Sequence, residues 1–123
     1  MNQRNGRRVV LVKTLVDRTR EFSFAVIRFF GALPRHRIAY VLGDQFLRAG
    51  LSPGAHFREA LRARSKAEYV AKLNGGVMEL EETLYWLELL VGIEVAAADD
   101  VEPLNEAEQL IAIFLSLINK WKP

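Results

Sequence analysis

The stretch that most constrains this chain is SKAEYVAKLNGGVMELEETLYWLELL, from Ser65 to Leu90. Val70, Leu73, Val77, Leu80, Leu84, Leu87 and Val91 recur at gaps that alternate three and four, which on an α-helix places all seven along one stripe. A stripe of that kind requires apolar partners. Ser65 followed three residues later by Glu68 is a capping box, whose two side chains satisfy backbone N–H groups of the first turn. Met78, Tyr85, Trp86 and Leu89 fall off the stripe and give this helix a second apolar face, which one subunit's core cannot easily bury as well. An oligomer interface is therefore expected there.

The rest of the chain carries the same alternation. Val12, Leu15, Thr19, Phe22, Val26, Phe29 and Leu33 predict a first helix over 9–33, after a basic start, residues 1–8, expected to be disordered. Gly31 and Pro34 mark its end. Ile38, Leu42, Phe46, Ala49, Phe57 and Leu61 predict a second helix over 35–63, interrupted by GLSPG. Pro53 cannot donate to the carbonyl of Ala49 and its ring crowds that oxygen, so a structural kink or short break is expected at Gly50, Pro53 and Gly54. In the third helix, 66–93, Gly75 and Gly76 each cost about 1 kcal/mol relative to alanine. Close approach by a neighbour would compensate, and Gly50–Gly54 is the expected neighbour. Leu104, Ala107, Ile111, Phe114, Ile118 and Trp121 predict a fourth helix over 103–122, with Leu110, Ile113 and Leu117 as its second stripe. Asp99, Asp100 and Glu102 precede it, where the helix dipole favours negative charge. Four such stripes with short connections make an all-α, antiparallel up-down-up-down four-helix bundle. Its outward apolar positions, Met78, Tyr85, Trp86, Leu89, Ile113 and Leu117, are the expected oligomer interface.

Charge divides the chain in two. Residues 1–66 hold 14 Lys/Arg and 4 Asp/Glu, net +10, whereas residues 67–123 hold 3 and 11, net −8. This asymmetry fits either a nucleic-acid surface on the basic half or basic and acidic helices lying side by side. The absence of cysteine excludes disulfides and thiolate metal sites. No signal peptide is read at the N-terminus, because Lys13 interrupts the run VVLVKTLV. The longest late apolar run, Leu110 to Asn119, is about half of the roughly 20 residues a membrane span needs. A soluble, cytoplasmic protein without a membrane partner is expected.

The segment QFLRAGLSPGAHFREALRARSKAEY followed by ELEETLYWLELL resembles the bacterial four-helix-bundle proteins encoded in intervening sequences of large-subunit ribosomal RNA genes. Gln45, Arg48, Ser52, Gly54, Arg58, Glu59, Arg64, Ser65, Glu82, Tyr85 and Trp86 are among the positions that carry the likeness. Where that family reads S-I-G-A-N this chain has Ser52, Pro53, Gly54, Ala55 and His56. The resemblance implies a homopentamer. A more distant likeness, to accessory variability determinants of diversity-generating retroelements, implies a reverse transcriptase and RNA or DNA as partners, met through basic surface.

No catalytic constellation accompanies the bundle pattern. His36 and His56 are the only histidines, and a di-iron bundle needs two Glu-x-x-His pairs where this chain has one reversed His56-x-x-Glu59. No metal, cofactor or catalytic residue is expected, and no nucleophile elbow, phosphate loop or zinc spacing occurs. The candidate nucleic-acid contacts are Arg35, Arg37, Arg62, Arg64 and Lys66. The competing reading sets arginines in a salt-bridge layer with Glu79, Glu82 or Glu88. The expected function is thus a non-enzymatic oligomeric scaffold or adaptor whose basic face meets nucleic acid or a nucleic-acid enzyme. The alternatives are a protein-only adaptor with its charges spent in intra-ring salt bridges, and an enzyme with a closed pocket around His56 and Glu59.

Overall fold

The computed structural model describes residues 3–97 and 102–120. They form α1 (Gln3–Gly31), α2 (Arg37–Leu61), α3 (Lys66–Gly92) and α4 (Glu102–Asn119), and no strand occurs among them. Each helix packs on the next, α2 against α3 most extensively, and α1 meets α4 across the thinnest seam. This is the expected four-helix bundle. α1 starts at Gln3 rather than Val9, so the described part of the basic start belongs to the helix. The expected end of α4 at 122 and its acidic lead-in at Asp99 and Asp100 lie outside the described residues.

The predicted cap of α3 forms as side-chain chemistry requires, and α2 has a cap as well. Ser65 Oγ accepts from Glu68 N at 3.0 Å, and Glu68 Oε2 accepts from Arg64 N at 3.2 Å, which closes the box one residue ahead of the cap. His36 caps α2, its Nδ1 accepting from Ala39 N at 3.2 Å. At the other end of α3, Val95 N donates to Leu90 O and Glu94 N to Val91 O, the paired bonds of a Schellman turn. Its left-handed residue is Glu94, with φ of 62°. A side chain in that position is strained, whereas glycine is not.

One correction concerns α2. Gly50, Pro53 and Gly54 lie inside a single uninterrupted helix, so the expected break does not occur, and a kink there is not shown. Pro53 is buried within it. The glycines have a different role. A Cβ on Gly43 would come within 2.7 Å of Leu33, and one on Gly50 within 2.6 Å of Val26. On Gly54 it would rest 3.4 Å from Thr19 Oγ1. Partners that rise along α1 as they fall along α2 show the pair to be antiparallel, with a glycine-lined groove of α2 receiving α1. Thr19, the one polar residue of the α1 stripe, is buried but satisfied, its hydroxyl donating to Leu15 O at 2.8 Å.

A second correction concerns α3. Gly75 and Gly76 face His56 and Phe114, not the backbone of Gly50–Gly54: a Cβ would sit 2.8 Å from the His56 ring at one and 2.6 Å from the Phe114 ring at the other. Phe114 stacks on Phe57 with centroids 5.8 Å apart, so rings from α2 and α4 fill the space that the glycines leave. Leu73, Val77, Leu80 and Leu87 of the main stripe are buried, while Val70, Leu84 and Val91 are half-buried at its flanks.

Two sets of substitutions test this packing. Gly50→Ala should destabilise the fold by about 1–3 kcal/mol, because β-branched Val26 cannot turn aside, whereas Gly54→Ala, which meets only ordinary contact, should stabilise it by up to about 1 kcal/mol through helix propensity. Glu94→Gly should add about 1 kcal/mol by relieving the left-handed residue. Urea unfolding midpoints at constant m-value would read all three.

Candidate functional site

Arg37 begins α2 and Leu61 ends it, and a 25-residue helix is about 36 Å long. The five candidate nucleic-acid residues are therefore not one site. Arg35 and Arg37 stand at the α1–α2 turn, while Arg62, Arg64 and Lys66 stand at the α2–α3 turn, at the opposite end of the bundle. The second group is the denser, since Arg58 precedes it by one helical turn and Lys72 of α3 stands beside it. Glu59, Arg62, Arg64, Glu68 and Lys72 line an open groove there.

Within one subunit, no ion pair joins these arginines to Glu79, Glu82 or Glu88 among the described residues. Glu59 Oε2 is 3.1 Å from Lys72 Nζ, a bridge between α2 and α3, and Glu82 accepts from Trp86 Nε1 at 3.2 Å. Among the described residues, the side chains of Arg58, Arg62 and Arg64 are exposed and form no ion pair. Sequence reasoning missed Lys72 as Glu59's partner. Only the antiparallel register of α2 on α3, which also sets His56 against Gly75, brings the two together.

His56 and Glu59 do not share an enclosed pocket among the described residues. The imidazole occupies the space beside Gly75, with Nδ1 buried and without a hydrogen bond, 3.9 Å from Glu59 Oε2. Glu59, about half exposed, faces the open groove. No group of three His, Asp or Glu side chains among the described residues is placed to hold a metal ion. The Glu79 carboxyl, in the same α2–α3 seam, is raised above its ordinary value by burial and then by the Glu82 carboxylate, with His56 acting in the opposite sense.

The outward apolar positions divide in the same way. Met78 is 70% and Tyr85 52% exposed, so the second face of α3 is present as surface. Trp86, Ile113 and Leu117 are half-buried against their own subunit's core, and Leu89 is half-buried as well. A polar clamp that the sequence did not announce joins α1 to α4: Arg18 Nε donates to Glu106 Oε1 at 2.8 Å and Nη2 to Gln109 Oε1 at 3.0 Å. Its partners are some 90 residues apart in the chain, beyond the reach of any spacing argument.

These features define an all-α bundle with charged ends and an exposed apolar stripe, and no helix among the described residues is long and apolar enough to cross a membrane. The family model described as 23S rRNA-intervening sequence protein matches residues 14–116, and the chain belongs to that family. A similar solved structure is a protein of unknown function from the S23 ribosomal protein family of Bacteroides thetaiotaomicron VPI-5482. It is 31% identical, with a TM-score of 0.80 over 88% of this chain and 97% of that one. No curated protein matches the chain.

The raised carboxyl gives a signed test. A carboxyl whose folded-state value lies above its unfolded value favours folding while protonated, and that contribution is lost as pH rises through the folded value. Glu79→Gln should therefore be more stable than the native chain at about pH 7, with the difference shrinking as pH falls through the raised folded-state value and gone below the ordinary value of 4.5. Thermal unfolding across that range would show it; a constant difference would place the cause elsewhere than in ionisation.

Proposed function

We propose that the protein is a non-enzymatic, cytoplasmic scaffold that self-associates and presents its basic α2–α3 end to nucleic acid or to an enzyme acting on nucleic acid, such as a reverse transcriptase. The observation that carries this reading is the state of Arg62 and Arg64. Both are exposed, and neither is matched by a carboxylate among the described residues, although the chain has acidic side chains enough to match them. Unpaired guanidinium groups on short turns suit phosphate oxygens, which they engage with two parallel N–H bonds.

Self-association gives these few contacts their weight. One bundle offers too small a basic cluster for tight binding, but copies held together raise the effective concentration of the second and later clusters. The exposed Met78 and Tyr85 stripe supports such an assembly, and five copies is the number that the family resemblance implies. With Glu59 bound to Lys72, the groove keeps a basic rim over a neutralised floor.

A salt titration of binding to generic single-stranded RNA and to duplex DNA tests the reading. Log affinity should fall linearly with log salt concentration, and Arg62→Ala with Arg64→Ala should reduce that slope by about 1.4–1.8. Binding absent even at low salt would leave the scaffold as an adaptor between proteins. Binding unchanged by the double substitution would move the contact away from this turn.

A further inference from the structure

Two surfaces of this bundle combine exposed apolar side chains with charges that form no ion pair among the described residues, and the two have opposite sign. The first is the beginning of α1. Thr19 lies against Gly54 and Val26 against Gly50, so in this antiparallel register Leu61, the last residue of α2, falls opposite about residue 12 of α1. α1 therefore extends past the end of α2. Val9 and Val10 are 67% and 64% exposed, and the first core residue is Leu15. Arg7 and Lys13 are exposed, neither is in an ion pair among the described residues, and no acidic residue precedes Asp17 in the chain. Gly6, Arg7, Val10, Leu11 and Thr14 line a shallow open groove on this projection.

The second surface is the outward face of α3. Met78 and Tyr85 are exposed there beside Glu81, Glu82 and Glu88, all three exposed and outside any ion pair among the described residues. The two surfaces do not adjoin within one bundle, where α1 and α3 each pack on α2 and α4. We propose that the α1 projection of one copy docks on the outward face of α3 in a second copy. This rests on the self-association advanced above and assigns its two mating surfaces.

Charge selects this pairing over a twofold one. Two projections brought together would oppose cation to cation, and two α3 faces carboxylate to carboxylate, whereas projection on face neutralises both. Apolar contact supplies the attraction and charge the choice of partner. The lengths agree: residues 3–12 of α1 rise about 15 Å, and Met78 to Tyr85 about 10 Å. Because each copy offers one surface of each kind, the contact is heterologous, and the assembly closes as a ring or extends as a filament.

Sedimentation equilibrium of the full chain at micromolar concentration tests the pairing with two charge-swapped variants, Arg7→Glu with Lys13→Glu and Glu81→Lys with Glu88→Lys. Helical circular dichroism would confirm that both remain folded, as exposed positions should allow. The native chain should be oligomeric. Each variant alone should associate at least tenfold more weakly, since the first leaves the start of α1 without net charge, Arg4 and Arg8 offsetting the two new glutamates, and the second turns the α3 face net positive. Mixed in equal amounts, the two variants should associate more tightly than either alone, because the unaltered cationic projection of the second variant meets the unaltered anionic face of the first. An oligomeric native chain whose mass neither swap changes, or swaps that weaken association without recovery on mixing, would overturn the pairing while leaving self-association intact. A monomeric native chain would remove both. Loss of RNA binding by the α1 variant at unchanged oligomer mass would assign the projection to nucleic acid instead and overturn the pairing.

Discussion

Close approach of helices at missing side chains is the constraint on which this bundle depends. Gly50 admits Val26 into α2, and Gly76 admits the Phe114 ring into α3, each at a distance that a methyl group would forbid. Packing at such points gains dispersion contacts along both helices and removes apolar area from water, which outweighs the roughly 1 kcal/mol of propensity that each glycine loses. Phe57, Phe114 and Phe46 can then be fully buried within four helices of modest length. Pro53 fits the same scheme. Buried in an uninterrupted helix, it occupies core space while the groove is cut by the glycines on either side.

That packing also decides where charge goes. The core consumes one face of each helix, so the excess of cations in the first half must surface at the ends of α2 and on the outside of α1. The carboxylates of the second half surface along α3. Among the described residues, Glu59–Lys72 and Arg18–Glu106 are the bridges that tie one helix to another, and both lie at seams with partial exposure. Exposed bridges of this kind contribute little to stability, typically under about 1 kcal/mol. Their structural effect is local: Glu59 is held away from the arginines of its own helix, which leaves the α2–α3 turn basic.

Much of the fold is legible in residue spacing. The three-four alternation located four helices to within a turn at most ends, and the Ser65 and Gly31 signals marked where two of them stop or start, because caps and breakers act through bonds a few residues long. Two features escaped for the same reason in reverse. Pro53 reads as a break because its lost hydrogen bond is local, while the burial that accompanies it is tertiary. Glu94 takes a left-handed conformation that composition assigns to glycine, and the nearby Gly92 remains helical. The site was less legible than the fold. Arg35 and Arg37 look contiguous with Arg62 and Arg64 in a list of basic residues, yet a rigid helix separates them, and nothing local reveals which acids reach which bases.

The sequence by itself determined the helical class, the number of helices, the inward stripe of each and the division of charge between the halves, all of which follow from periodicity and composition. Only the tertiary structure decided that α2 continues through Pro53 as one helix, that Gly75 and Gly76 make room for His56 and Phe114, that Glu59 pairs with Lys72, and that Met78 and Tyr85 stay exposed while Trp86, Ile113 and Leu117 turn partly into the core. The physical reason is range. Hydrogen-bonded caps and helical stripes are set by neighbours within a few residues, whereas these outcomes depend on which helix lies across the seam and at what register.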